Sequence, residues 1–367
     1  MAYTTIDDPS AHFHIQLYTG NADANAITND ANAGDFAPDL IWMKNREISA
    51  AHGLYDSTRG TGTSKSLKSD EDAAEGDASG NMNLTAFSSD GFSLGATSGT
   101  NQINYADDGH VAWQWKANGG STSSVSASGS GASQILASTH QANTTAGFSI
   151  ILYTGTGATA TVSHGLGAVP DVLLFKERST VNNWYMYHSA NTAAPETDYL
   201  VLDTTDATTD FLIWNDTAPT STVCSLSNSG VHGDTETFVC YAWREIQGYS
   251  KFGGYTGNGN ADGPFVYTGF KPAYLLYKNV DSVSNWVIRD NKRTTTGGTN
   301  PNGTVLLANG ANAESVNDSA TVIDLLSNGF KIRNTENNDN TSGDNYLYMA
   351  FAEQPFVTSG GVPCTAK

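Results

Sequence analysis

The chain has 367 residues and a net charge of −19, from 18 basic and 37 acidic side chains. That field repels polyphosphate, which excludes nucleic acid as a partner and favours solubility and resistance to self-association. Only 15% of residues are charged, yet 38% are hydrophobic and 10% aromatic, enough apolar surface to exclude a disordered chain.

One cassette recurs three times along the sequence. It opens with Tyr18-Thr19-Gly20, Tyr153-Thr154-Gly155 and Tyr255-Thr256-Gly257. Each opening is followed, 17 to 20 residues after its Tyr, by a proline, a short run that is mostly apolar, and a lysine: Pro38 to Lys44, Pro170 to Lys176 and Pro272 to Lys278. Repeats of this size imply three small units of one fold, each large enough to bury a core.

Helical periodicity is almost absent, and short apolar runs are bounded by Gly, Asn, Asp and Pro, the signature of strands and turns. In the first unit the strands are Leu54-Tyr55, a short Ser66-Leu67, Phe92 to Leu94 and Val111 to Trp115. In the second, Phe148 to Tyr153, Val172 to Phe175, Trp184 to Tyr187, Tyr199 to Leu202 and Phe238 to Trp243 read as strands. The third repeats the order with Trp286 to Ile288, Val305 to Leu307, Thr321 to Leu326 and Tyr346 to Phe351. The closing strands align as Val111/Trp113/Trp115, Val239/Tyr241/Trp243 and Leu347/Met349/Phe351, a period of two that points large apolar groups into a core.

The pattern predicts an all-β protein of three tandem antiparallel β-sandwich domains, jelly-roll-like, over residues 1–117, 147–248 and 249–357. Residues 118–146 read as a Ser/Gly/Thr-rich linker, its first half a flexible tether and Gln134 to Thr139 a candidate edge strand. Residues 358–367 form a C-terminal tail. Two further positions align across the units: Asp56, His188 and Asp290 stand twelve residues after the lysines, and His52, Trp184 and Trp286 stand eight after them.

No catalytic motif is present, so no catalytic, cofactor-binding or metal residue is assigned. His12 and His14 are a candidate metal pair, with a polar strand face the better reading. His164, before Gly165-Leu166-Gly167, reads as a turn residue. Asp70, Glu71, Asp72, Glu75 and Asp77 invite a glycosidase reading, but a Gly/Ala/Ser-rich loop suggests solvated acids. Calcium is the one cofactor for which candidates exist: the loops holding Asp23, Asp30 and Asp35, then Asn258 to Gly263, then Asn337 to Asn340 with Asp344. Tight turns also demand these residue types. The cassette lysines read as strand-end residues with solvated heads. Cys224, Cys240 and Cys364 are too few for a disulfide scaffold; Cys224 and Cys240 could pair across strands, but two separated thiols are the preferred state. The start of the chain lacks the pattern of a signal peptide, and no run is long enough to span a membrane.

The Tyr-Thr-Gly opening, His164-Gly165-Leu166-Gly167-Ala168-Val169-Pro170-Asp171, the Trp eight residues after the lysine, the Gly-Phe turn and Tyr348-Met349-Ala350-Phe351-Ala352-Glu353 together resemble a family of virion proteins of marine tailed bacteriophages. The resemblance covers residues 13–357. It implies a non-enzymatic virion structural protein on a tail fibre, tail appendage or capsid surface, made in the host cytoplasm. Other virion proteins, copies of itself in a homo-oligomer, and a host-surface glycan or receptor are the implied partners. Exposed aromatic rings would stack on sugar faces, and Trp42, Tyr185 and Tyr187 are the candidates. A tail-borne polysaccharide depolymerase is the alternative, and a secreted adhesin a third possibility.

Overall fold

The structure is a computed structural model that describes residues 3–30, 36–76, 79–96, 103–293, 300–316 and 322–364. Asp35, Asp77 and Thr321, each singled out above, lie outside the described residues.

The chain is all-β. The first unit contributes β1 (Phe13–Thr19), β2 (Asn25–Thr28), β3 (Leu40–Asn45), β4 (Gly53–Asp56), β5 (Leu84–Ser88), β6 (Gly91–Leu94) and β7 (Gly109–Trp115). Two strands follow in the connection, β8 (Ser123–Val125) and β9 (Ser138–Asn143). The second unit holds β10 (Phe148–Thr154), β11 (Ala160–Ser163), β12 (Val172–Glu177), β13 (Trp184–His188), β14 (Asp198–Val201), β15 (Thr209–Asp210), β16 (Val223–Leu226) and β17 (Thr237–Trp243). The third holds β18 (Ser250–Thr256), β19 (Phe265–Tyr267), β20 (Phe270–Asn279), β21 (Val287–Asp290), β22 (Leu306–Leu307), β23 (Ile323–Leu326), β24 (Gly329–Ile332) and β25 (Asn345–Pro355).

Each unit has a large antiparallel sheet with one internal order: β1-β7-β3-β4, β10-β17-β12-β13 and β18-β25-β20-β21. Each also has a small outer sheet, β2-β6-β5, β11-β16 or β19-β24-β23. The Ser/Gly-rich connection is ordered rather than a loose tether. Asp39 accepts the Gly119 and Gly120 amides, and β8 and β9 extend the second large sheet beyond β10.

Both faces of the closing strands β7, β17 and β25 are buried over most of their length. The closing-strand residues Val111, Trp113, Trp115, Val239, Tyr241, Trp243, Leu347, Met349 and Phe351 all lie in one cluster, which therefore joins the three units. Trp115 stands at its heart, 5.0 Å from Phe13 of its own unit, 6.3 Å from Trp243 of the second and 5.8 Å from Tyr274 of the third. The intervening residues pack outward against each unit's small sheet: Ala112 with Ile27 and Phe92, Cys240 with Val162 and Leu226, Ala350 with Phe330 and Ile332. Each unit thus keeps an outer core of its own, while its inner face is covered only by the other two.

The Tyr-Thr-Gly opening is a clasp on the loop that enters the closing strand. The tyrosine hydroxyls donate to the carbonyls of Ile103, Val231 and Asp339. Immediately after those carbonyls come Asn104, His232 and Asn340, whose side chains accept the amides of Asn21, Thr156 and Asn258, the residues following each glycine. Between these bonds a Cβ on Gly20, Gly155 or Gly257 would stand 2.0 to 2.1 Å from the carbonyl oxygen of Tyr105, Gly233 or Thr341. No side chain fits there, so the glycine is fixed by contact with backbone that has no room to move. Gly155→Ala is expected to destabilise the chain by about 1–3 kcal/mol. Gly360→Ala, with open space around it, should leave the urea midpoint unchanged, and equal midpoints for both variants would refute the clasp.

Candidate functional site

The residues that follow each cassette lysine form the junctions between units. Two residues on, the carbonyls of Arg46, Arg178 and Val280 accept amides from Glu314, Glu75 and Thr208 of the neighbouring unit. Six residues on, the amides of Ala50, Asn182 and Ser284 donate to Ala311, Asp72 and Thr205. Eight residues on, His52 Nε2 lies 2.9 Å from the Leu307 carbonyl, and the indoles of Trp184 and Trp286 donate to the carbonyls of Lys68 and Val201 at 2.7 and 2.8 Å. Unit one thus engages unit three, unit two engages unit one, and unit three engages unit two. The ring closes.

Position twelve explains why Asp56, His188 and Asp290 differ. Asp56 pairs with Arg59 and accepts the Tyr241 hydroxyl of the next unit at 2.7 Å. Arg59 also binds Glu75, which binds Arg178 across the seam, each at 2.7 Å. Asp290 repeats the arrangement with Arg293, Glu314 and Arg46, and accepts the Trp113 indole at 2.9 Å. At the remaining seam the same five places hold His188, Asn191, Thr208, Val280 and Met349. Met349 has no proton to donate. His188 Nε2 instead meets the adjacent Tyr348 carbonyl at 3.1 Å, and Thr208 bonds Asn191 at 2.6 Å. At these five places one seam carries no charged side chain, and each of the other two carries two carboxylates and two arginines.

A buried charge stripped of its partner is strongly unfavourable, whereas a complete neutral replacement is tolerated. Asp56→His alone is therefore expected to cost about 3–5 kcal/mol. The concerted set Asp56→His, Arg59→Asn, Glu75→Thr, Arg178→Val and Tyr241→Met should recover most of that loss in urea unfolding. Additive losses across the five would show that the networks are not interchangeable.

The acidic loop is solvated only in part: Asp72 is exposed and the Glu71 side chain is 40% exposed, whereas Asp70 and Glu75 are held by the protein. Arg178 and Arg59 hold the Glu75 carboxyl below its usual range despite burial, which alone would raise it. Asp70 accepts the His52 amide, and burial lifts its carboxyl to about 6; Asp203 does the same for Trp184 and is likewise lifted to about 6. The cassette lysines do not have solvated heads either. Lys44, Lys176 and Lys278 are buried, donate to carbonyls of Asn45, Asn182 and Asn279, and are pushed down by burial to about 8.

The remaining candidates are dispersed. His12 packs on Tyr249, and His14 bonds Gln16 at 3.3 Å. His164 braces its own turn, accepting the Leu166 amide and bonding the Thr220 carbonyl. Asp30 pairs with Lys292, Asp262 with Lys331, and Asp339 with Arg289, so a protein cation meets one acid in each of the proposed calcium loops. Among the described residues no three His, Cys, Asp or Glu side chains gather as metal ligands. The cysteines are free. No described helix is long and apolar enough to cross a membrane. Trp42 and Tyr187 are buried, and Tyr185 packs at a tilt against Tyr199. The exposed rings are elsewhere: Phe211 is 49% exposed, and Phe265 and Tyr267 on β19 are 47% and 54% exposed. The register counterparts of the β19 pair on β2 are Ala26 and Thr28.

What the seams leave open is a cleft of about 670 Å³ where the first and third units meet near the chain termini. Phe13, His14 and Ile15 of β1 form one wall, and Asn291, Lys292 and residues 352–355 the other. Asp7, Asp8, Asp30 and Glu353 give it an acidic rim. Asp7 also anchors the C-terminal segment through the Ser359 amide at 2.6 Å. No sequence signal marked this cleft, because its walls come from opposite ends of the chain.

These observations define an all-β protein in which three related units close a ring of antiparallel sheets around one core. The chain belongs to the family described as "Domain of unknown function (DUF7483)", whose model matches residues 8–355 and so runs through all three units. It matches no curated protein and no solved structure.

All eight histidines have lowered proton affinity, chiefly through burial, with His52 at about 3 and His110 and His188 at about 4. Below pH 6.5 an unfolded chain takes up protons that the folded chain refuses, so stability falls with pH. Asp70 and Asp203 act in the opposite direction between about 6 and 3.8, where the folded chain binds the proton first. The histidines outnumber them. The urea midpoint should therefore drop steadily between pH 6.5 and 4.5, and His188→Gln should flatten that slope. A midpoint constant over this range would contradict neutral buried rings.

Proposed function

We propose that the chain is a non-enzymatic virion structural protein of a tailed bacteriophage, placed on a tail fibre, tail appendage or capsid surface. In this reading each unit is a small β-sandwich, and the ring of three is a rigid body that presents loops and edges to other virion proteins and to the host surface. One observation carries it. The ionisable residues that recur with the cassettes are turned into the seams between units, where they hold the body together and have no access to a substrate. The resemblance of the cassettes to phage virion proteins supports the same reading. Phe265 and Tyr267 are rings that the fold does not require and whose faces suit the apolar side of a sugar.

The depolymerase reading is kept for one reason: carboxylates of Asp8, Asp30 and Glu353 line the cleft, and glycoside cleavage uses such pairs. Two measurements separate the readings. Mass spectrometry of purified particles should find the chain in fixed stoichiometry with the major virion proteins. The purified chain should release no reducing sugar from host capsule. Its absence from washed particles would overturn the virion reading, and sugar release lost in Asp8→Asn would establish the other.

A further inference from the structure

The three opening strands β1, β10 and β18 hold the same place relative to their closing strands, but β1 and β18 end their sheets whereas β10 is flanked by β9. Along β10 the edge is covered by β9, with Phe148 opposite Asn143, Ile150 opposite Gln141 and Leu152 opposite Thr139. The counterparts on β1 are Phe13, Ile15 and Leu17, set by the matching registers with Trp115, Trp113 and Val111. In an antiparallel ladder alternate residues turn their amide and carbonyl away from the bonded neighbour, and on β1 these are the residues that turn outward. The far half of this edge is capped within the unit: Gln16 donates to the Leu17 carbonyl and Asn25 to the Thr19 carbonyl. The near half is not. Among the described residues no hydrogen bond meets the outward groups of Phe13 and Ile15, and both residues line the 670 Å³ cleft.

We propose that this cleft binds an extended, lysine- or arginine-bearing segment of a different protein, added as a strand to the open edge of β1 in the place that β9 takes on β10. An unpaired edge is a template for strand addition, and main-chain bonds to it supply affinity. Charge selects the occupant. The lining carries Asp7, Asp8, Asp30 and Glu353 against one lysine, Lys292. Asp30 is matched by Lys292 and Glu353 by Lys271, while Asp7 and Asp8 bond only hydroxyls and amides of Ser359 and Ser10. A second copy of a chain with a net charge of −19 meets this rim with like charge. The inference rests on the edge and the rim alone and stands whether or not the virion reading does.

The test uses the full chain and three fluorescent strand-forming peptides of alternating Thr and Val: one with lysines, one with glutamates in their place, and the lysine peptide N-methylated at alternate residues. Anisotropy should show the lysine peptide binding at least about tenfold tighter than the glutamate peptide, with affinity falling as salt rises. Methylation should abolish binding, since it removes the ladder and leaves the charge. Amide exchange read by NMR should slow at Phe13 and Ile15 when the peptide is bound. Asp8→Lys, at an exposed position, should weaken binding at a temperature well below its own melting transition, where the variant is folded. Equal binding of the methylated peptide would reduce the effect to non-specific charge and overturn the proposal. So would protection confined to other strands, or sedimentation showing that copies of the chain occupy this edge themselves.

Discussion

The fold depends on three apolar sheet faces that can leave water only together. Each large sheet already has its outer face covered by its own small sheet, so the inner face is what remains. In the first unit that face carries Leu40, Trp42, Leu54, Trp113 and Trp115, a contiguous apolar patch far larger than an isolated domain of this size would expose. Trp115 shows how the cover is made, with aromatic rings of all three units within about 6 Å of it. Burial of this kind has no direction and would tolerate slippage. The bonds two, six and eight residues after each lysine supply the direction, because main-chain and indole donors reach their acceptors in one register only.

The seam networks show what such a ring demands of a repeated sequence. A carboxylate at position twelve needs Arg59 or Arg293 beside it, a second carboxylate beyond, and a donor from the next unit's closing strand. Removing one member leaves the others charged and dry. The chain accordingly departs from the pattern at all five places of one seam at once, with His188, Asn191, Thr208, Val280 and Met349, and keeps the pattern elsewhere. The difference between Met349 and its counterparts Trp113 and Tyr241 is the simplest expression of this: with no proton to offer, it faces a histidine that finds a carbonyl instead.

Much of this was legible in the sequence, and what was not has identifiable causes. Period-two alternation placed Val111, Trp113 and Trp115 on one face because a strand leaves no other option, and Pro170 marked where β12 begins. The correspondence of Asp56, His188 and Asp290 was visible too, but its meaning required Tyr241, Trp113 and Met349, which lie on other units and at no fixed spacing. The lysines misled for a related reason. Lys44 ends an apolar run, which normally brings the head to solvent, and only the neighbouring unit turns that end into an interior. The same holds for Trp42, whose indole donates to His52 inside the shared core. Composition likewise misjudged the first half of residues 118–146: Ser and Gly predict a tether until Asp39 and Gln141 offer their polar groups a home.

Repetition within one chain also separates what the fold needs from what it does not. A feature present in all three units, such as the Tyr-Thr-Gly clasp, is explained by packing against backbone and says nothing about partners. A feature present once, where its counterparts are small or bare, carries no such obligation. Phe265 and Tyr267 face solvent on a strand whose counterpart manages with Ala26 and Thr28. β1 and β18 both end their sheets where β10 is covered, and of the two only β1 lines the cleft. If the open edge were merely an unfinished part of the fold, its near half would be capped from within the unit as its far half is, by Gln16 and Asn25. Among the described residues it is uncapped beside an acidic rim, at the one junction that also gathers both ends of the described chain.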